Sequence, residues 1–180
     1  MIDQIKGRKT WVTRYTLVYL ALNSGLRVSE LARLKLKDLQ LGGKENFLIV
    51  QNGKGNRKRD VYLDTELVKH LKEYIVISKT AWSESTAYDA PLLAGRNGGH
   101  FTTTALEISF KQALIAAGLP STYSIHSSRH TYATILLAKT NNLRFVQKQL
   151  GHSTLNMTAL YADVLPEHNQ ALANSILDCA

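Results

Sequence analysis

Cysteine is nearly absent from this 180-residue chain, and the single thiol, Cys179, stands beside the C-terminus with no partner for a disulfide or a cysteine-ligated zinc site. A reducing compartment follows. Long apolar runs are also missing: no uncharged stretch reaches the roughly 20 residues a bilayer-spanning helix needs. The opening M-I-D-Q-I-K-G-R-K-T has no apolar core of a secretion signal. These features predict a cytoplasmic, nucleoid-associated protein with no membrane partner. Internal repeats and low-complexity tracts are absent, and proline is scarce, at three residues. Acidic residues are in deficit, with 14 Asp plus Glu against 22 Lys plus Arg, for a net charge of +8. That excess suits a polyanionic partner, nucleic acid ahead of an anionic membrane. With 44% hydrophobic residues, the chain can bury one good-sized core, which points to one compact domain.

Trp11 to Leu22 carries apolar residues at helical spacing and stops near Asn23-Ser24-Gly25, so Arg27 emerges from a tight turn. A short second helix follows, with Ser29 as its expected N-cap and Glu30 placed favourably against the helix dipole. The period then changes to two. Leu34, Leu36, Leu39 and Leu41 hint at a strand, and Phe47 to Val50 and Lys58 to Leu63 read as two more, joined through Asn52-Gly53-Lys54-Gly55-Asn56 with Lys54 at the hairpin tip. Glu66 to Ile77 is predicted helical, and Ser78 to Phe101 reads as a long surface connection. Thr104 and Glu107 form a capping box for a helix ending at Ala117, before Gly118 and Pro120. Helices are then expected over Ser127 to Ala138 and Leu143 to Leu150, the second closed by Gly151, so that His152 lies just past a helix end. One more short helix would carry Tyr161, and Glu167 to Leu177 reads as a terminal amphipathic segment.

The chemistry lies in H-S-S-R-H (His126 to His130), L-G-H (Leu150 to His152) and Tyr161, with Arg27 and Lys54 upstream. Taken singly, each has an ordinary explanation. Arg27 alone reads as a surface or capping arginine, and Lys54 alone as a solvated hairpin tip. His152 fits a histidine capping a helix C-terminus, and Tyr161 a core aromatic. His126 and His130 share a helix face, but a zinc site is disfavoured because Arg129 lies between them with no Asp, Glu or Cys nearby, so no metal is expected. Together they differ. An arginine one helical turn from a histidine can fork two phosphate oxygens, a lysine among cations suits proton donation, and a phenol becomes a useful nucleophile beside several cations. A phosphodiester substrate is the consequence.

The ordered fragments G-L-R-V-S-E-L, N-G-K-G-N-R-K, H-S-S-R-H-T-Y-A-T-I-L-L, Q-L-G-H-S-T and A-L-Y-A-D-V closely resemble the catalytic domain of the tyrosine recombinases, the phage integrase family, from about Arg14 to Leu165. The resemblance implies an α+β fold, mostly α-helical with a small, about three-stranded antiparallel sheet, clasping duplex DNA. It also implies strand breakage and rejoining through a 3′-phosphotyrosyl intermediate, with no metal or nucleotide cofactor. Tyr161 would be the nucleophile, Arg27 and Arg129 would bind the non-bridging oxygens, and His152 would assist them. Lys54 would be the general acid and His126 would take the tyrosine proton. Arg57, Lys58 and Arg59 are expected to contact DNA. Assembly on double-stranded DNA, as a tetrameric synapse, is implied as well.

Two departures accompany the resemblance. Ser128 stands where the family usually has leucine, with packing as the expected consequence. The N-terminal core-binding domain typical of the family is expected to be absent, leaving 1–180 as a single catalytic domain whose binding is weak and steeply salt-dependent. The segment 167–180 docks either on a neighbouring protomer or in cis. Two rival classes stay open: a non-catalytic DNA-binding module, and a nuclease using His126 and His152 independently of Tyr161. A relaxing topoisomerase would share the same chemistry.

Overall fold

A computed structural model of the chain describes residues 9–51, 58–82, 85, 87–95 and 97–152. Among them, α1 (Lys9–Ser24) is the central helix, packed against α3 (Thr65–Trp82), α4 (Thr103–Ala116) and α5 (Ile125–Thr140). Its Val12, Leu17, Leu20 and Ala21 are almost fully buried and join Leu67, Leu71, Phe110 and Ile125 in the main core. The helix ends at Gly25, whose φ of +61° is open to glycine at little cost. A Cβ there would also run into the ring of Tyr132 on α5.

The sheet comprises β1 (Leu39–Gln40), β2 (Phe47–Val50) and β3 (Arg59–Tyr62), antiparallel in that order. Leu48 pairs with Val61, both fully buried, which fixes the alternation of the hairpin's two faces. A second, smaller core of Ala133, Leu137, Val146 and Leu150 joins α5 to α6 (Leu143–Leu150). Tyr62 and Phe145 seat α6 beside β3, their ring centroids 6.3 Å apart. The architecture is the expected one, mostly helical with a three-stranded antiparallel sheet among the described residues.

Local details depart from the sequence reading. The N-cap of α2 (Val28–Arg33) is Arg27, and Ser29 lies inside the helix, because the Glu30 carboxylate accepts the Arg27 N–H at 2.8 Å. Leu36–Asp38 is a 3₁₀ turn and no strand, since Asp38 caps the Lys35 N–H at 2.9 Å. The α4 cap is Thr102, two residues before the expected Thr104, with its hydroxyl accepting from the Ala105 N–H. Helix α3 runs on to Trp82. The connection beyond it is only partly a surface one: Leu92, Leu93 and Ala94 are buried, and the backbone around Pro91 bonds to Leu34 and Leu36. Apolar residues there outweigh the polar composition around them. Over Leu143–Leu150 the expected and observed helices coincide, because Asn142 caps one end and Gly151, at φ +65°, closes the other.

Candidate active site

Arg129 lies on α5, whose N-terminus is capped by Ser124 through a reciprocal bond with Ser127. Its neighbour Ser128 is buried and donates its hydroxyl back to the Ile125 carbonyl at 2.6 Å, so the small polar residue is satisfied within its own helix. The Arg129 side chain turns inward and is 3% exposed. Its Nη1 donates to the Gly25 carbonyl at 2.5 Å and its Nη2 to the Leu150 carbonyl at 2.7 Å. Gly25 precedes Arg27 by two residues, and Leu150 precedes His152 by two. One guanidinium therefore holds both flanking segments to α5.

Arg27 presents a partly exposed fork at the start of α2, its Nη1 donating to Glu30 Oε1 at 3.0 Å. Sequence reasoning treated Glu30 only as a helix-dipole residue. In the fold its carboxylate is 6% exposed and lies between two arginines, with Arg59 Nη1 at 2.8 Å and Nη2 at 2.9 Å. Burial alone would raise its pKa, but the hydrogen bonds and charges of Arg59 and Arg27 outweigh burial and hold it below the usual carboxylate range. Arg59 was expected on the DNA-contacting surface with Arg57 and Lys58. Instead its guanidinium faces inward onto Glu30, and Nε donates to the Gln149 carbonyl at 3.0 Å. Gln149, which the sequence did not single out, bonds both main-chain groups of Tyr62, at 2.9 and 3.2 Å. Lys58 is exposed.

His152 is half-buried past the end of α6, its main chain tied to Gln147 by two bonds of 3.2 Å. Burial first, then the charges of Arg129, Arg27, Arg59 and His130, push its pKa down to about 4. The imidazole is neutral near pH 7 and can offer an N–H to an anion. These same charges converge on one place. His126 is exposed on α5, and its Nε2 lies 2.9 Å from Nε2 of His130 with the rings nearly perpendicular. Burial and the nearby charges of His126 and Arg129 lower the His130 pKa. Arg129 does not stand between the two rings, as the sequence spacing had implied, because its side chain points into the core. Among the described residues no group of three His, Cys, Asp or Glu is placed to hold a metal ion, and no helix is long and apolar enough to cross a membrane. Lys54, Arg57, Tyr161 and the segment 167–180 lie outside the described residues.

Beside Arg27, a groove of about 450 Å³ opens between α2 and β2, lined by Arg33, Lys35 and Lys37 and also by the carboxylates Glu30 and Asp38. Asp89 pairs with both lysines, at 3.2 and 2.5 Å. The arrangement thus combines the partly exposed Arg27 fork, a buried Arg129 that ties the two flanking turns together, and a neutral imidazole, a set suited to holding a phosphate group.

The phage integrase family model matches residues 1–168, and the chain belongs to that family. Tyrosine recombinase XerC of Lactobacillus leichmannii is 32% identical over 162 residues, covering 90% of this chain and 54% of the relative. Tyrosine recombinase XerD of Staphylococcus saprophyticus is 34% identical over 151 residues, covering 83% of this chain and 49% of the relative. Among solved structures, the XerH site-specific recombinase bound to difH substrate, in a pre-cleavage complex, superposes with a TM-score of 0.72 at 27% identity over 86% of this chain and 44% of that one. The XerA recombinase gives a TM-score of 0.71 at 26% identity, over 87% of this chain and 57% of that one. The chain spans about half the length of the relatives it matches.

Proposed function

We propose that this chain is the catalytic domain of a site-specific recombinase or integrase that breaks and rejoins double-stranded DNA. The phenolic oxygen of Tyr161 attacks the scissile phosphorus and its proton passes to His126. The bond from phosphorus to the 5′-oxygen breaks as Lys54 protonates that oxygen, leaving a 3′-phosphotyrosyl link and a free 5′-hydroxyl. A 5′-hydroxyl from a second strand then reverses the step. Charge developing on the non-bridging oxygens is met by Arg27, Arg129 and the N–H of His152, which are oriented before substrate arrives. The reading assigns no step to a metal or nucleotide.

The observation that carries this reading is the grip of Arg129 on the Gly25 and Leu150 carbonyls, which brings the Arg27 turn and the His152 turn together. His152, half-buried and neutral beside Arg129, Arg27 and Arg59, keeps one ring N–H that can be donated to a phosphate oxygen, which supports its role as donor. The excess positive charge supports duplex DNA as partner. The relatives' names support the recombinase class. The same reading takes the protein to work as a tetrameric synapse on the nucleoid, with 167–180 docking either on a neighbouring protomer or in cis.

The test is covalent trapping. The protein and its Tyr161→Phe variant are incubated with nicked duplex DNA bearing candidate sites, and a denaturation-resistant adduct is sought. An adduct formed by the wild type alone is expected. Salt-sensitive binding without adduct on every site would favour the non-catalytic module, and cleavage by the phenylalanine variant would favour the nuclease.

A further inference from the structure

The run Arg57-Lys58-Arg59 looks in the sequence like a solvated basic tip, yet its last member is not solvated. The Arg59 side chain is 9% exposed, and each of its three guanidinium nitrogens donates a hydrogen bond: two to the Glu30 carboxylate at 2.8 and 2.9 Å and one to the Gln149 carbonyl at 3.0 Å. The same two Glu30 oxygens hold Arg27, through its main-chain N–H and its Nη1. Gln149 lies in the last turn of α6, and its side chain is bonded to both main-chain groups of Tyr62 at the far end of β3. The α6 terminus is moulded around the arginine as well: a Cβ on Gly151 would sit 2.8 Å from Arg59 Cδ and 2.9 Å from Nε and Nη1.

We infer that Arg59 is a positioning residue that locks the Arg27 turn, the β2–β3 hairpin and the α6 terminus into one unit, and that it makes no phosphate contact of its own. The inference rests on the proposed function for its catalytic consequence, though not for the lock itself. A planar fork is needed because it serves a carboxylate with two nitrogens while a third reaches a carbonyl at a fixed angle; a lysine is a single point charge and cannot do both. Burying the pair is costly, and what it returns is a specified geometry. The hairpin that leads to Lys54 and the turn that carries His152 are thereby joined through one side chain. Neither can shift without straining the Glu30 clamp on Arg27. Residues of three distant segments are coordinated before DNA binds, which suits a reaction whose donors must be placed in advance.

The experiment uses the full chain with Arg59→Lys and Arg59→Leu, at a temperature where each is fully folded. Two quantities are read: single-turnover adduct formation at saturating nicked duplex, and hydrogen exchange at the main-chain amides of Arg27, Gly151 and His152. Arg59→Lys is expected to bind DNA with unchanged affinity and salt dependence. Its adduct formation should fall roughly 10²-fold, with faster exchange confined to those amides and the neighbouring strand. Retained rate with a salt slope shallower by about one would identify a phosphate contact and overturn the inference. Unchanged exchange at all three amides would overturn it too, and so would faster exchange spread evenly over the fold. Should Arg59→Leu fail to fold, the lysine variant decides. If the wild type forms no adduct, the proposed function fails, while the exchange measurement still decides the lock.

Discussion

The guanidinium of Arg129 holds the Leu150 carbonyl at 2.7 Å, two residues before His152, while its other terminal nitrogen holds Gly25, two residues before Arg27. Arg129 is therefore a structural tie as well as a candidate phosphate ligand. Arg129→Ala is expected to lower adduct formation by roughly 10²-fold or more. It should also destabilise the fold by about 1–3 kcal/mol, since two buried carbonyls lose their donor. Chemical denaturation read beside DNA affinity checks this: full stability with lost binding would assign Arg129 to DNA contact alone.

Glu30 faces Arg27 and Arg59 from a nearly closed site. Glu30→Ala leaves the inward-facing Arg59 without its carboxylate, and a loss of about 3–5 kcal/mol is expected. Glu30→Gln keeps the shape and should cost less. A denaturation midpoint shift that is equal for the two variants would show that the charge on Glu30 is immaterial.

At Gly25 a positive φ and the Tyr132 ring act together. Gly25→Ala should cost at least about 1–2 kcal/mol from the backbone alone, with the ring clash added. Because Arg27 leaves this turn, adduct formation should fall even where the variant is fully folded. Normal single-turnover kinetics in folded Gly25→Ala would show that the turn does not aim Arg27.

His70 is buried beside Thr16 Oγ1 at 2.9 Å, with the rings of Tyr15 and Tyr19 against it, and burial pushes its pKa down to about 4 from 6.5. The unfolded chain therefore binds more protons than the folded one between those values. Stability is unaffected by this group above pH 6.5 and falls as pH drops from 6.5 towards 4, by up to about 3 kcal/mol. His152, lowered in the same direction, adds to the loss. His70→Gln should flatten the curve of urea midpoint against pH over that window. An unchanged curve would place the acid sensitivity elsewhere.

Much of the site was legible locally. Gly25 and Gly151 stop helices by a backbone requirement that neighbouring residues cannot mask, so the turns leading to Arg27 and His152 could be read from the letters. The end of helix α6 was legible for the same reason, while its N-terminal cap, Asn142, was not singled out in the sequence. The inward turn of Arg129 was not, because helical spacing states which residues share a face and says nothing of which carbonyls lie beneath it. Pro91-Leu92-Leu93 breaks a polar stretch in the sequence, but its burial was not legible there, because its partners, Leu34 and Leu36, lie on a separate segment.

Arg59 marks the boundary most sharply. Charge, the hairpin, the helix stops and the ordered R, K, H-x-x-R, H and Y fragments follow from residue types and short spacings, and they were enough for the family and the fold class. Whether a given cation faces solvent or a carboxylate depends on a partner 29 residues away in Glu30 and on a carbonyl 90 residues away in Gln149. Desolvating a guanidinium is favourable only when all those partners arrive together, and only the packing of α2 and α6 around β3 brings them there.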